Sequence, residues 1–445
     1  MKQSRQHFRL CFIGLFSLFS TAAILLTQLS FEEAKISNDS DTSTFEETDI
    51  TPASGAFTSN ELQRLCVEGD AFTITRGRAT EFRRDEYLNQ CYPLEISIDQ
   101  GGRSMGHCSD FVNYIQYGNA RLVRDLPYEM YELKAERCPN STYLHGEFPV
   151  NAFFKLAPRV RNIWLPNQEQ IHSGQVWYFP VAYKILCKTR ITCKAIKAYL
   201  HHNNITNTPL LFTSHSTPDP LESIESLDIR NNTRKDYNTF FHSHGHSHRK
   251  HTNELVQCWM RNPTWPTLTI VGKAYKRPFF TPSNVIILPY VAFETHRKLQ
   301  CGNGVHICVS STEGYGHYIN EARALSSVVV TTDYAPMNEF VQDGVSGVLV
   351  PYSAERPETQ ILAPYFKGIV QVTSESICES VARVLRMSIQ VRRELGAQAR
   401  RRYELDRIEM KRNILEVYWD AVEHLTGRTD RHALYHDDIL YMENC

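Results

Sequence analysis

The chain has 445 residues, enough for two domains of ordinary size. Its formal net charge is −1, so no basic surplus argues for nucleic acid as a partner. Mean hydropathy is mildly negative, which excludes a polytopic membrane protein.

Leu10 to Leu29 carries no charge and is rich in Leu, Phe and Ile, the span a bilayer needs. Lys2, Arg5 and Arg9 precede it, and Glu32 and Glu33 follow it. The positive-inside rule then makes 1–9 a cytosolic tail, 10–29 a transmembrane signal-anchor, and the bulk lumenal. A cleaved signal peptide is the rival reading. Residues 30–60, rich in Ser, Thr, Asp and Glu, read as a flexible stem. Asn38, Asn140, Asn204 and Asn231 head glycosylation triplets. Of 12 cysteines, Cys66, Cys91, Cys108 and Cys138 are candidates for pairing in an oxidising lumen. Cys187, Cys258 and Cys308 sit in apolar patterns and read as buried thiols. No cysteine spacing suggests zinc.

Globular sequence begins near Glu61. Leu94–Ile98 followed by Asp99-Gln100-Gly101-Gly102 is a strand and a glycine pair, the opening of a nucleotide-fold domain. His107 to Asp110 reads as the cap of a helix running to Tyr117. Leu122–Val123 reads as a strand, and Val150–Phe154 and Ile163–Leu165 flank a turn near Pro158. Leu165-Pro166-Asn167-Gln168-Glu169 follows a strand; a polar loop and an acceptor contact through Asn167 or Glu169 are both open. Lys184–Cys187 predicts a strand and Thr192–Leu200 a helix, with Lys188 and Arg190 as anion contacts or surface charges. Leu210–Thr213 predicts a strand. The polar stretch 215–237 reads as the linker, giving domains at 61–225 and 226–425.

Thr239–His242 predicts the first strand of the second domain. Five histidines lie between 242 and 251. Metal ligands must converge from fixed directions with partners behind them, which a histidine-rich loop does not supply, so no metal is expected. A strand, a glycine turn at Gly245 and a helix from Thr252 make an anion site instead. That helix stops before Pro263. Leu268–Val271 and Val285–Leu288 predict strands, the second followed by Pro289-Tyr290-Val291.

The stretch from Gly302 to Val350 organises the rest. A buried strand, Val305–Val309, leads to Glu313-Gly314-Tyr315-Gly316, where two glycines permit a sharp turn and leave amides free. A helix follows from His317 to Leu325, carrying Glu321, then a strand at Val328–Thr331. Both glutamates can border one pocket above the strand ends. Two helices close the chain, Glu375–Met387 and Val391 to about Leu425. The second has apolar residues at helical spacing, among them Ile408, Met410, Ile414 and Val417. Residues 426–445 read as a tail.

Glu313-Gly-Tyr-Gly-x4-Glu321-Ala, then Val-Val-x-Thr and Met337-Asn338-Glu339, resembles the donor-binding segment of retaining GT-B glycosyltransferases of group 1, which carry a Glu-x7-Glu motif. The resemblance is clearest over 239–350. It implies an α/β fold of two Rossmann-like domains facing a cleft, here after a single N-terminal transmembrane helix, with a final helix crossing back over the first domain. It implies a transferase of the hexosyl type whose donor is a nucleotide diphosphate sugar and whose acceptor is a glycan or another hydroxyl compound. No cofactor is implied. Glu313 would hold hydroxyls of the transferred sugar, and His317 would cap the helix or touch phosphate. Lys250 takes the lysine role of the family's Gly-Arg/Lys-Ser-x-x-Lys-Gly element, with Arg249 as the alternative and His246 where a longer cation is usual. Gly314 and Gly316 would offer amides to the diphosphate, Glu321 would bind the ribose, and Tyr290 would contact the base. The family context implies a type II membrane protein of the Golgi or endoplasmic reticulum. A non-catalytic, membrane-tethered protein that binds nucleotide sugar or glycan is the alternative.

Overall fold

The apolar runs of the chain form two sheets. The computed structural model describes residues 55–69, 73–98, 105–124, 126–157, 159–225, 235–245, 247–272, 282–289, 291–356, 362, 365 and 368–429. In the first sheet lie β1 (Thr73–Ile74), β2 (Ala79–Thr80), β3 (Leu94–Ile98), β4 (Arg121–Arg124), β5 (Thr142–His145), β6 (Arg161–Trp164), β7 (Lys184–Cys187) and β8 (Leu210–Phe212). Their order is β2-β1-β4-β3-β5-β6-β7-β8. Pairing is parallel from β4 through β8, and the short β1–β2 hairpin closes one edge in antiparallel fashion.

The second sheet holds β9 (Asp236–Ser243), β10 (Leu268–Val271), β11 (Val285–Leu288), β12 (Asn303–Cys308), β13 (Val328–Thr332) and β14 (Gly347–Val350). Its order, β11-β10-β9-β12-β13-β14, is parallel throughout. This is the doubly wound order, which reverses between β9 and β12 and leaves a crevice at their carboxyl ends. Every residue of β12 and β13 is buried, as strands covered on both faces must be. Val305 pairs with Val328 and Ile307 with Val330, and these side chains share a core with Phe240, Leu255 and Trp259. Burying each such side chain contributes roughly 1.5–3 kcal/mol.

The last helix, Ile389–Thr426, belongs to both halves. Leu395 joins the core of the second sheet, while Met410, Ile414, Val417 and Ala421 join that of the first. The spacing of those four puts them on one helical face. Ile408, one of the apolar positions in the sequence pattern, points to solvent at 65% exposure. Ion pairs fasten the helix further: Arg407 and Arg400 to Asp219, and Asp420 to Arg161 and Lys184. A second tie joins the halves, because the Glu339 carboxylate accepts from the Arg190 and Ile191 amides at 2.7 and 2.8 Å. Glu339 thus caps the helix Arg190–His202 of the first half.

Several local expectations change. The Val150–Phe154 stretch is helical over Asn151–Lys155. The helix after β3 starts at Met105, so Asp110 lies within it and is no cap. Disulfides join Cys66 to Cys108, Cys91 to Cys138, Cys187 to Cys193 and Cys258 to Cys378, so Cys187 and Cys258 are not thiols. Cys301 and Cys308 are free and buried.

The membrane expectation is corrected. Among the described residues no helix is long and apolar enough to cross a membrane. The longest of the described helices, Ile389–Thr426, has 38 residues, but Arg and Glu recur along it. A hydrocarbon span tolerates few such charges. The expected signal-anchor, membrane partner and type II Golgi or reticulum placement therefore have no support in the structure and are withdrawn. Residues 10–29, on which they rested, lie outside the described residues.

Candidate active site

The carboxyl ends of the two sheets open on one cavity of about 630 Å³. That size suits a drug-sized or larger polar ligand. Its lining comes from segments after β3, β5, β6 and β7 on one side and after β9 to β12 on the other.

On the second-half wall, β12 runs into Glu313-Gly314-Tyr315-Gly316. Gly314 lies so close to Asn167 of the first half that an added methyl group would overlap the asparagine side chain. Gly316 has φ +96°, a left-handed geometry that strains any residue with a side chain. It begins the helix His317–Ala324 without a side-chain cap. The first amides of that helix have no intrahelical acceptors, a standing anion site. The Glu313 carbonyl accepts from Gln168 Nε2 at 2.8 Å, which ties the turn to the opposite wall.

The turn after β9 contributes Lys250. Its ammonium donates to the Ser243 carbonyl at 3.0 Å and lies 3.8 Å from the centre of the Tyr318 ring. Behind it, His242 Nε2 and His244 Nδ1 meet the Thr252 hydroxyl at 2.8 and 2.7 Å, so these two histidines build the turn. Burial pushes the His242 imidazole down to about 3. Arg249 is not among the lining residues; its carbonyl accepts from the Ser311 amide at 2.8 Å and pins the turn to the segment after β12.

Glu321, in the helix His317–Ala324, is held on both carboxylate oxygens. Arg297 lies 3.0 Å from its Oε1, and Gln300 Nε2 donates to Oε2 at 2.8 Å. Burial would raise its carboxyl, but the Arg297 guanidinium, His296 and the Gln300 hydrogen bond together hold it at about 2. Arg297 itself is 2% exposed and lines the cavity.

The first-half wall centres on Asp110. Lys188 Nζ donates to its Oδ2 at 2.5 Å, and His317 Nε2 lies 3.0 Å from its Oδ1. His215 Nε2 is also 3.0 Å from Oδ1, but outside hydrogen-bonding angles. Burial opposes ionisation of Asp110, yet Lys188 and the histidines hold it well below the usual carboxylate range. Burial pushes His215 down to about 4, so it is neutral at pH 7. The ligand atoms of Asp110, His215 and His317 lie within 4.8 Å of one another, a spacing a metal ion could use. The Lys188 ammonium beside them already balances the carboxylate and opposes a second cation. Next to this cluster stand Glu147, Asn167 and Glu169.

Of the residues marked in the sequence, the cavity is lined by Glu313, Gly314, Gly316, His317, Glu321 and Lys250, and also by Asn167, Glu169 and Lys188. His246, Tyr290 and the Asp99–Gly102 loop lie outside the described residues. Sequence reading does not mark Arg297, Gln300, His215 or Glu147, and it gives His107 only a capping role. Nothing local distinguishes Arg297 from a solvated helix arginine; only its pairing with a buried glutamate does. Asp110 and Lys188 are visible in the sequence, but 78 residues separate them, so their contact is a product of the fold.

Residues 243–362 match the family model described as Glycosyl transferases group 1. No curated protein matches the chain. A glycosyltransferase from Rickettsia africae ESF-5 is similar at 11% identity and a TM-score of 0.50, over 75% of this chain and 99% of that one. The trehalose-6-phosphate synthase OtsA is similar at 9% identity and a TM-score of 0.50, over 76% and 99%. The GtfA/B complex matches at 13% identity and a TM-score of 0.46, over 68% of this chain and 61% of that one, less than two thirds of its length. The chain has the two-domain GT-B fold of the glycosyltransferases, and its residues 243–362 match their group 1 family.

Proposed function

We propose that the protein is a retaining hexosyltransferase that moves a sugar from a nucleotide diphosphate donor to a hydroxyl of a glycan or similar acceptor. The observation that carries this reading is the convergence of Glu313, Glu321, Lys250 and the uncapped helix at His317 on one cavity between the sheets. In the reaction, the bond between the sugar's anomeric carbon and the diphosphate breaks. The acceptor oxygen bonds that carbon, and the nucleoside diphosphate leaves with the acceptor's proton. Lys250 and the amides at Gly316 to Tyr318 offset the charge that develops on the diphosphate. Glu321, oriented by Arg297 and Gln300, accepts from the ribose hydroxyls, and Glu313 accepts from the sugar. Preorganisation by Arg297 keeps the Glu321 carboxylate ionised at any working pH.

The test is a panel of nucleotide sugars incubated with the full-length protein and an array of hydroxyl acceptors, read by release of nucleoside diphosphate and by glycosylated product. Donor-dependent product with the anomeric configuration of the donor supports the reading. Glycan binding with no nucleotide dependence contradicts it.

A further inference from the structure

Glu147, Asn167 and Glu169 line the first-half wall, where Asn167 faces the turn at Gly314. Glu147 Oε2 accepts from His107 Nε2 and from Asn167 Nδ2, each at 2.8 Å, which fixes the carboxylate facing the cavity. Glu169 is 5% exposed, and its Oε2 has no hydrogen-bond partner; Asn167 Oδ1 is unpartnered as well. Buried polar atoms left unpaired are costly, and a ligand in the cavity would satisfy them. Lys188 is the one lysine or arginine this wall contributes to the lining among the described residues, and Asp110 already holds it.

We propose that Glu147, Asn167 and Glu169 form the acceptor subsite, and that it selects acceptors whose reacting sugar is hydroxyl-rich and uncharged or amine-bearing, while rejecting those that carry a carboxylate, phosphate or sulfate there. This rests on the transfer reading above. An anionic group on this wall would meet Glu147 and Glu313 with no free fixed cation on the same side among the described residues. Burial, then the Glu147 carboxylate, push the Glu169 carboxyl up to about 8. It therefore keeps its proton near neutrality and presents both a donor and an acceptor, the pairing that a sugar hydroxyl requires.

The experiment uses full-length protein, the nucleotide sugar that gives turnover, and three acceptors of one ring type: a neutral hexoside, its 2-amino counterpart and its uronic acid. The neutral and amino acceptors should be used, and the uronic acid should show kcat/KM lower by about tenfold or more. The variant E147Q/E169Q should narrow that gap to less than about threefold while its melting temperature shows that it folds. Equal or better use of the uronic acid by the wild type overturns the assignment while leaving the transfer reading intact. An unchanged acceptor ratio in a folded E147Q/E169Q variant overturns it too. Should the variant not fold, the wild-type ratio decides alone. Absence of any donor-dependent turnover overturns the transfer reading and the acceptor assignment with it.

Discussion

His317 Nε2 lies 3.0 Å from Asp110 Oδ1, and the two residues come from opposite halves of the molecule. The contact joins the helix after β12 to the helix after β3 at the floor of the cavity. Lys188 completes it from a third element, the end of β7. Asp110→Ala would leave the Lys188 ammonium buried without its counter-charge. The expected loss is roughly 3–5 kcal/mol of stability, measured by denaturant unfolding. D110A/K188A should lose less than the two single variants combined, because neither charge is then stranded. Equal losses that simply add would show the pair to be uncoupled.

Lys250 is half-buried and aimed at the cavity, with its ammonium held by the Ser243 carbonyl and the Tyr318 ring. Lys250→Ala should weaken nucleoside diphosphate binding by about tenfold or more, roughly 1.4 kcal/mol, and nucleoside binding much less. Titration calorimetry with both ligands measures the difference. Equal loss for the two would point to collapse of the turn instead.

Arg297 acts on Glu321, so their substitutions should not add. Glu321→Ala is expected to cut donor affinity and turnover without unfolding the protein. Arg297→Ala should raise the Glu321 pKa from about 2 toward or beyond its ordinary 4.5, because burial, the largest influence on it, is then opposed only by His296 and the Gln300 hydrogen bond. Donor affinity in that variant should fall as pH drops below neutrality, a dependence the wild type lacks in the same range. A pH-independent loss would assign Arg297 a packing role only.

Stability should fall on the acid side for reasons readable from the buried groups. His215 is held at about 4, His242 at about 3 and His306 at about 3 by burial, against an ordinary 6.5. Between those limits the unfolded chain binds more protons, so their contribution is full above pH 6.5 and is lost as pH falls toward 3. Glu321 adds to this, its stabilisation being present above pH 4.5 and lost as pH falls toward 2. Glu169 has the opposite sign: held up at about 8 against 4.5, it costs stability increasingly as pH rises through that window. Glu169→Gln should therefore flatten the decline in melting temperature between pH 6.5 and 8. No change in that slope would contradict the assigned burial.

The second sheet is the part most legible in the sequence. Val305–Val309 and Val328–Thr331 read as strands because residues buried on both faces leave an unbroken apolar run, and Gly314 and Gly316 mark the turn because only glycine suits it. The first half is less legible. Its wall depends on Asp110 meeting Lys188, and Glu147 meeting His107 and Asn167, contacts between elements whose sequences carry no trace of each other. Val150–Phe154, read only as flanking a turn, forms a short helix over Asn151–Lys155 that buries Phe153 and Phe154, an outcome nothing in its sequence pattern indicates. The cysteines mislead for a related reason: Cys187 and Cys258 have apolar neighbours, and their partners Cys193 and Cys378 lie where no spacing rule points.

The central claim is that one cavity binds the nucleotide part of an activated sugar through Lys250 and Glu321. Calorimetric titration of uridine and guanosine diphosphates into the full-length protein and into its Lys250→Ala and Glu321→Ala variants tests it most directly. The account predicts saturable one-site binding of at least one nucleotide by the wild type and weaker binding by both folded variants. No binding by the wild type, or equal affinity in all three proteins, would contradict it.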